Sequence, residues 1–300
     1  MVAPIKELNW AITGGGGQLA RSITNLLDRQ GAKYRSWDKH DLDVSNPENL
    51  NKISDFAPSV IVNCAAWTNV EGAESCFEQA VLTNRDGAMN MALVAKRMNI
   101  PLIHISTDYV FSGDRQTPWK VEDETRPSSK YGESKLLGEF EIKKIWPDKS
   151  VILRTAWLYG PFCKNFAKTI IKKAISTEET VNVVDDQRGQ PTSTFDLAQR
   201  IFKIANLNLV SGIYHASNSG EATWWDFACE LFYLSGKSIN RVNPIPSCEY
   251  PSSIKRPNFT VLDHSNWDSV GLDSMRDWRE ALHEIFPTIL KEVESELQNG

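Results

Sequence analysis

The sequence lacks the features that would suggest a membrane protein, a disulfide framework or a nucleic-acid-binding protein. Its five cysteines include no Cys-x-x-Cys pair, and their odd number, without an N-terminal hydrophobic signal region, predicts reduced thiols in the cytoplasm. No apolar run is long enough to span a bilayer. The 33 basic and 38 acidic residues form no long run of either sign, so nothing indicates a nucleic-acid or membrane surface.

What remains is the composition of an ordinary globular protein. The chain has 300 residues, of which 41% are apolar and 24% are charged. This length suits one large α/β domain, or a main domain with a smaller one folded onto it.

The first 155 residues alternate between short apolar runs and helical periodicity. This alternation is typical of a doubly wound parallel sheet of the Rossmann type. The predicted strands are 9–13, 33–37, 60–63, 101–106 and 151–155, and the predicted helices include 18–28, 87–98 and 129–144. We expect residues 1–155 to form the main domain.

Beyond residue 157 the pattern changes, with short strand-like pieces at 181–184 and 212–215 between glycine- and proline-rich turns. Helices are predicted at 166–175, 195–205, 224–235 and 278–297. We expect residues 156–300 to form a smaller, interleaved substrate-binding region. Residues 181–206 are expected to return to the main domain.

A glycine-rich turn follows the first predicted strand and opens the first predicted helix. In Gly14-x-x-Gly17-x-x-Ala20 the glycines permit a tight turn and let backbone N–H groups approach a pyrophosphate. The third position needs only a small residue for packing, and Ala20 is small enough. The turn therefore predicts a dinucleotide-binding domain.

Asp38, at the end of the second strand, stands where an acid commonly accepts a hydrogen bond from the ribose of NAD. Lys39 and Arg35 flank it and would instead suit the 2′-phosphate of NADP, so NADH and NADPH both stay open. Asp43 is either an adenine contact or a helix cap before Pro47. The predicted cofactor-binding residues are Gly14, Gly17, Gln18, Leu19, Asp38, Lys39, Asp43, Asn63, Ala65, Ala66, Tyr131 and Lys135.

Tyr131 and Lys135 are four residues apart on a predicted helix, which places them on one face. An ammonium beside a phenol favours the phenolate and is expected to lower the pKa of Tyr131. Thr107 ends a central strand, where ligands bind in such sheets. Carbonyl reduction needs a hydride, a proton donor and a group that holds the oxygen. We therefore predict a nicotinamide-dependent oxidoreductase with Tyr131 as its proton donor.

Several motifs together resemble those of the extended short-chain dehydrogenase/reductases, and more narrowly those of the dTDP-4-dehydrorhamnose reductase family. The matching segments are Gly14–Ala20, 106–113, 131–139, 63–74, 154–160, 185–193, 212–215 and 256–263, which span nearly the whole chain. Trp67 departs from the pattern, because a tyrosine is frequent at that position.

The resemblance implies a catalytic set of Thr107, Tyr131 and Lys135. It also implies sugar contacts from Val70, Asp108 and Trp157, and a nucleotide-diphosphate region with Asn165, Gln187 and Arg256. The implied reaction is the NADPH- or NADH-dependent reduction of the C4 ketone of dTDP-4-dehydrorhamnose to dTDP-L-rhamnose. No metal site is predicted, because a solvated helix end explains Glu292, Glu294 and Glu296.

Other functions stay open from the sequence. The substrate could be another nucleotide-4-keto-6-deoxysugar, and the product stereochemistry is not fixed by the motifs. Tyr109 stands where a 4,6-dehydratase needs a second acid, which argues against dehydration. A non-catalytic NADP-binding regulatory subunit is a further alternative, although Thr107, Tyr131 and Lys135 are all present. The expected small-molecule partner is a dTDP-sugar. The protein is expected to be either a monomer or a homodimer.

Overall fold

A six-stranded parallel β-sheet forms the centre of the computed structural model, which describes residues 8–207, 211–251, 254 and 256–298. The strands are β1 (Trp10–Thr13), β2 (Tyr34–Trp37), β3 (Val60–Asn63), β4 (Leu102–Thr107), β5 (Ser150–Thr155), β6 (Leu158–Tyr159), β7 (Val181–Val184), β8 (Arg188–Gly189), β9 (Thr192–Ser193), β10 (Gly212–His215), β11 (Asn218–Ser219), β12 (Ala222–Thr223), β13 (Val242–Ile245) and β14 (Met275–Asp277). The α-helices are α1 (Gln18–Arg29), α2 (Asn51–Phe56), α3 (Val70–Ser75), α4 (Phe77–Val81), α5 (Gly87–Met98), α6 (Lys130–Ile145), α7 (Phe166–Ser176), α8 (Thr194–Asn206), α9 (Trp224–Leu234) and α10 (Trp278–Gln298).

The strand order in the main sheet is β10-β5-β4-β3-β1-β2. After β2 the chain crosses back over β1 and forms β3 on the other side of it. The direction of winding therefore reverses between β1 and β3. Ligands of open α/β sheets bind beyond the carboxyl ends of the strands at such a reversal. The register pairs Thr13 with Asn63 and Asn63 with His104, which places three polar side chains in one row there.

Apolar side chains cover both faces of the sheet, as the uninterrupted apolar strands predict. Ile12 and Val62 belong to the core that α1 and α8 complete on one face. Ala11 and Ile61 belong to the core that α5 completes on the other. The doubly wound Rossmann-like fold predicted from the sequence is therefore confirmed.

A second core lies in the C-terminal half of the chain. Its sheet is the parallel pair of β7 and β13, and α7, α9 and α10 supply the largest buried side chains, including Phe227 and Trp278. The return to the main domain differs from the predicted 181–206. It runs through α8, which packs on the first core, and β10, which joins the main sheet, whereas β7 contributes Val181 and Val183 to the second core.

A small third cluster joins the two regions beside α6. Leu136 of α6 packs there with Phe111 and Trp119 of the loop after β4 and with Phe259 and Val261 of the C-terminal half. Phe111 and Trp119 stack with ring centroids 4.7 Å apart. None of the helices among the described residues has the length and apolar character of a bilayer-spanning segment.

Candidate active site

Helix α6 carries Tyr131 and Lys135, and two close contacts fix where it lies. Ser129 caps its N-terminus by accepting a hydrogen bond from the Gly132 N–H. A Cβ atom at Gly132 would lie 2.2 Å from the carbonyl oxygen of Tyr109, and one at Gly138 would lie 2.2 Å from that of Asn84. Only glycine allows the helix to approach the backbone so closely at these two points.

Tyr131 and Thr107 lie together at the carboxyl end of β4. The Thr107 hydroxyl is within hydrogen-bonding reach of the Tyr131 phenol, donates to Asp108 Oδ1 at 3.0 Å and accepts from the Tyr109 N–H at 3.2 Å. Burial raises the pKa of Tyr131, and the hydrogen bond with Thr107 opposes the shift. The pKa is therefore raised, and not lowered as expected from Lys135.

Lys135 is buried and its nitrogen is directed toward β4. Nζ donates to the carbonyl oxygen of Ile105 at 2.6 Å and lies 3.4 Å from Nε2 of His104. Burial lowers the pKa of Lys135 to about 8, although the carboxylate of Glu139 raises it. These contacts hold the Lys135 nitrogen against β4.

A buried ion pair supports the catalytic helix from below. Glu139, two turns after Tyr131, accepts hydrogen bonds from Arg154 Nη2 at 2.7 Å and Nε at 3.0 Å. Ser106 of β4 donates to the same carboxylate at 2.5 Å. Both charged side chains are at most 3% exposed, so either charge would be costly without its partner. The pair and Ser106 therefore hold α6, β4 and β5 together.

Asp108 lies beside the phenol and is 2% exposed. Burial raises its pKa to about 6, and hydrogen bonds from Thr260 and Thr107 oppose the shift. Its carboxyl group is therefore one that changes charge near neutral pH, next to Tyr131.

The glycine turn has the shape that a dinucleotide needs. Gly14 has φ +72°, and a Cβ there would lie 2.6 Å from the backbone nitrogen of Ala65. A Cβ at Gly15 would lie 2.5 Å from Ser36 Oγ, and Gly17 is the N-cap of α1 without a capping side chain. The N–H groups of the first turn of α1 thus lie at an end that suits a phosphate. These residues fit a bound nicotinamide dinucleotide.

Other predicted cofactor residues surround this turn. Asp38 follows β2 beside Gly16, and its Oδ1 accepts from the backbone N–H groups of His40 and Asp41. Lys39 lies close enough to Asp43 to favour the charged form of the Asp43 carboxylate. Asp43 accepts from the N–H and hydroxyl of Ser45, whereas the helical turn at Pro47 is capped by Asn46, so Asp43 is not the predicted helix cap.

Asn63 belongs to the polar row and ends β3, and Ala65 and Ala66 follow it. Asn63 Oδ1 accepts from the Thr13 hydroxyl at 2.7 Å and from the Ala65 N–H at 3.2 Å. Gln18 donates to the carbonyl oxygen of Leu158, and Leu19 is buried in the main core. Leu19 can therefore contribute its backbone to a ligand, while its side chain stabilises the fold.

Two of the residues expected to bind the sugar and the nucleotide line a cavity of about 660 Å³. Gln187 and Arg256 line it. Arg256 lies 3.6 Å from a carboxylate oxygen of Glu71 and within hydrogen-bonding reach of Tyr109. This guanidinium is therefore held between the cavity and the catalytic end of β4.

The other expected substrate residues do not line this cavity. Val70 is the first residue of α3, and Asn165 caps α7 by accepting from the Lys168 N–H. Trp157 has φ +44° and stacks on Trp224, with ring centroids 3.6 Å apart. One face of its indole is thus already covered.

Trp224 and His104 were not predicted as site residues. Trp224 lines the cavity, and the Trp-Trp pair that opens α9 was a signal for an aromatic surface. His104, on β4, contacts Lys135 of α6. A histidine within an apolar strand is indistinguishable from a core residue until the strand register is known.

Comparisons with known proteins agree with this geometry. The family model described as the RmlD substrate binding domain matches residues 9–290. A Streptomyces griseus protein named dTDP-4-dehydrorhamnose reductase is 39% identical over 96% of both chains. A Streptomyces niveus protein named dTDP-4-keto-6-deoxy-D-glucose reductase is 40% identical over 93% of this chain and 97% of its own.

A solved structure is also similar. The crystal structure of dTDP-4-dehydrorhamnose reductase from Bacillus anthracis in complex with NADP has a TM-score of 0.89 and 34% identity, covering 94% of this chain and 99% of that one. The similarity therefore covers both the main sheet and the C-terminal region.

Proposed function

Because the chain belongs to the RmlD substrate binding domain family, we propose that it reduces the C4 ketone of dTDP-4-dehydrorhamnose to dTDP-L-rhamnose with NADPH or NADH. The observation that carries this proposal is the meeting of Thr107 and the Tyr131 phenol at the sheet edge that also holds the glycine turn. A keto sugar bound there lies between a proton donor and the cofactor site.

The residues of the chain divide the chemistry among them. The reduced nicotinamide supplies the hydride. Tyr131 donates its phenolic proton to the oxygen of the ketone, so that the carbonyl becomes a hydroxyl group, and Thr107 holds that oxygen by a hydrogen bond. During the reaction the hydroxyl proton of Thr107 turns from Asp108 Oδ1 to the substrate oxygen, so that Thr107 donates to the substrate. Lys135, when charged, stabilises the phenolate that remains on Tyr131.

The rest of the site suits a nucleotide sugar. Arg256 supplies a planar cation for a diphosphate, and Gln187 lies in the same cavity. The volume of about 660 Å³ is in the usual range for small-molecule sites, which span about 300–1,000 Å³. Substrate binding through Val70, Asp108, Trp157 and Asn165 stays part of the proposal.

A second keto-sugar substrate is a specific alternative. The Streptomyces niveus relative, at 40% identity, carries the name of a dTDP-4-keto-6-deoxy-D-glucose reductase. Both substrates would present a C4 ketone to the same Tyr131, so the two activities differ only in how the sugar ring is seated.

Nicotinamide oxidation, followed by absorbance, tests the function. The protein is given dTDP-4-dehydrorhamnose or dTDP-4-keto-6-deoxyglucose with NADPH or NADH in turn. Turnover of dTDP-4-dehydrorhamnose supports the proposal. Preference for dTDP-4-keto-6-deoxyglucose would instead support the second keto-sugar reductase activity. Cofactor binding without turnover of either would favour a regulatory subunit.

The place and assembly of the protein are also proposals. The five cysteines are all free thiols, which supports a reducing compartment such as the cytoplasm. Either a monomer or a homodimer is compatible with a site built from one chain. Sedimentation in dilute solution separates these two states.

A further inference from the structure

His104 lies under the cofactor site, and its side chain is fully buried. It stands in the row of polar side chains that the register of β1, β3 and β4 creates. The reaction described above does not use it. Its two ring nitrogens contact Asn63 on one side and Lys135 on the other.

The direction of each hydrogen bond in this row is fixed by a backbone group. The Ala65 N–H and the Thr13 hydroxyl both point at Asn63 Oδ1, which identifies that atom as the amide oxygen. Asn63 Nδ2, a donor only, then faces His104 Nδ1 at 3.0 Å. Nδ1 must accept, and a neutral imidazole then carries its one proton on Nε2.

The Nε2–H of His104 therefore points at Lys135 Nζ, 3.4 Å away. An ammonium has only donors, so a charged Lys135 brings two donors face to face. A neutral amine has a lone pair that can accept from Nε2–H while one of its own protons is donated to Ile105. The histidine thus favours the uncharged amine in the protein without ligand.

We propose that His104 is a positioning residue that, together with burial, favours the uncharged form of Lys135, so that dinucleotide binding near pH 8 is coupled to proton uptake by Lys135. The inference rests on the proposed cofactor site. An anionic dinucleotide brings negative charge and hydrogen-bond acceptors, both of which favour the ammonium. The proton is taken from solvent, and Lys135 then has the charge that stabilises the phenolate of Tyr131.

The other groups around Lys135 do not reverse this effect. Glu139, on the same helix, favours the ammonium, but its carboxylate is already bound by Arg154 of β5. Cys64, after β3, is a thiol whose pKa burial raises to about 12, so it is uncharged at neutral pH. Burial lowers the pKa of His104 well below its usual range, which keeps the imidazole neutral, and burial lowers that of Lys135 to about 8.

Calorimetric titration of the whole protein with NADPH measures the coupling. The binding enthalpy is recorded at pH 8 in two buffers that differ in ionisation enthalpy, and the difference gives the protons taken up per site. An amine with a pKa of about 8 is half charged at this pH, so we expect uptake of about half a proton by the native protein. At pH 6.5 this uptake should nearly vanish.

His104→Phe removes the opposing donor but leaves Lys135 buried, so a larger share of Lys135 is charged before binding and the uptake at pH 8 should fall below the native value. His215→Phe is the matched control, because His215 is a second fully buried histidine in the same sheet and contacts Asp263 instead. The control should keep the native uptake. Equal uptake by His104→Phe and the native protein would overturn the inference, as would native uptake that does not change between pH 6.5 and pH 8.

A second variant and a spectrum keep the test decisive. In Asn63→Asp the amide donor becomes an acceptor, so His104 must donate from Nδ1 and leave Nε2 free to accept from an ammonium. Uptake should again fall below the native value. Nitrogen-15 spectra of the native imidazoles, in which the His104 signal is assigned by its loss in His104→Phe, should show His104 with its proton on Nε2. A proton on Nδ1 would overturn the inference even if NADPH failed to bind, which would itself contradict the proposed function.

Discussion

Substitution of Glu139 by Gln tests whether the catalytic helix depends on the buried ion pair beneath it. The change keeps the shape of the side chain but removes its charge, leaving the guanidinium of Arg154 only 3% exposed without a carboxylate. Breaking a buried pair from one side costs about 3–5 kcal/mol, because the remaining charge stays out of water. We expect a loss of that size in the free energy of unfolding.

The same helix offers a matched control. Lys130 and Glu133 form an ion pair at 2.8 Å, but both side chains are more than 40% exposed. Glu133→Gln should therefore cost less than about 1 kcal/mol. Urea unfolding followed by tryptophan fluorescence gives both free energies. If the two variants lost the same stability, the assignment of Glu139 and Arg154 as the support of α6 would be refuted.

Three further changes test other parts of the site. Tyr131→Phe removes the proton donor, so kcat should fall about 10²- to 10⁴-fold while calorimetric NADPH binding is retained; an unchanged kcat would show that another group donates the proton. Gly14→Val places a branched side chain at φ +72° against the backbone of Ala65, so NADPH binding should be lost although the circular dichroism spectrum stays native. Tight NADPH binding by this variant would contradict the assignment of the glycine turn as the dinucleotide site. Asp108 has a folded pKa of about 6, above the ~3.9 of an unfolded chain, so its stabilising contribution is full below pH 4 and is lost as the pH rises through 6. The native protein should therefore lose stability between pH 4.5 and pH 7 relative to Asp108→Asn, as measured by urea unfolding, and parallel curves would rule out this pKa.

The sequence predicts the main domain well because its signals are local. The glycine turn and the apolar strands each depend on residues close in the chain, and the observed ends of the predicted elements differ from the predicted ends by at most one residue. The helix predicted at 129–144, for example, is Lys130–Ile145, with Ser129 as its cap.

What the sequence could not give depends on contacts between distant residues. The spacing of Tyr131 and Lys135 puts both on one face of α6, but only the position of β4 shows that Lys135 is held by Ile105 and His104. Burial likewise raises the pKa of Tyr131, and burial cannot be calculated from a five-residue motif. The covered face of Trp157 has the same origin, since Trp224 lies 67 positions away in the printed sequence.

The central claim is that this site delivers a hydride to C4 of a dTDP-keto sugar. The most direct measurement uses NADPH or NADH deuterated at the transferred position, with dTDP-4-dehydrorhamnose as substrate and nuclear magnetic resonance of the product. We expect dTDP-L-rhamnose with one deuterium at C4, and no such product from Tyr131→Phe in the same time. Deuterium at another carbon, or none in the sugar, would contradict it.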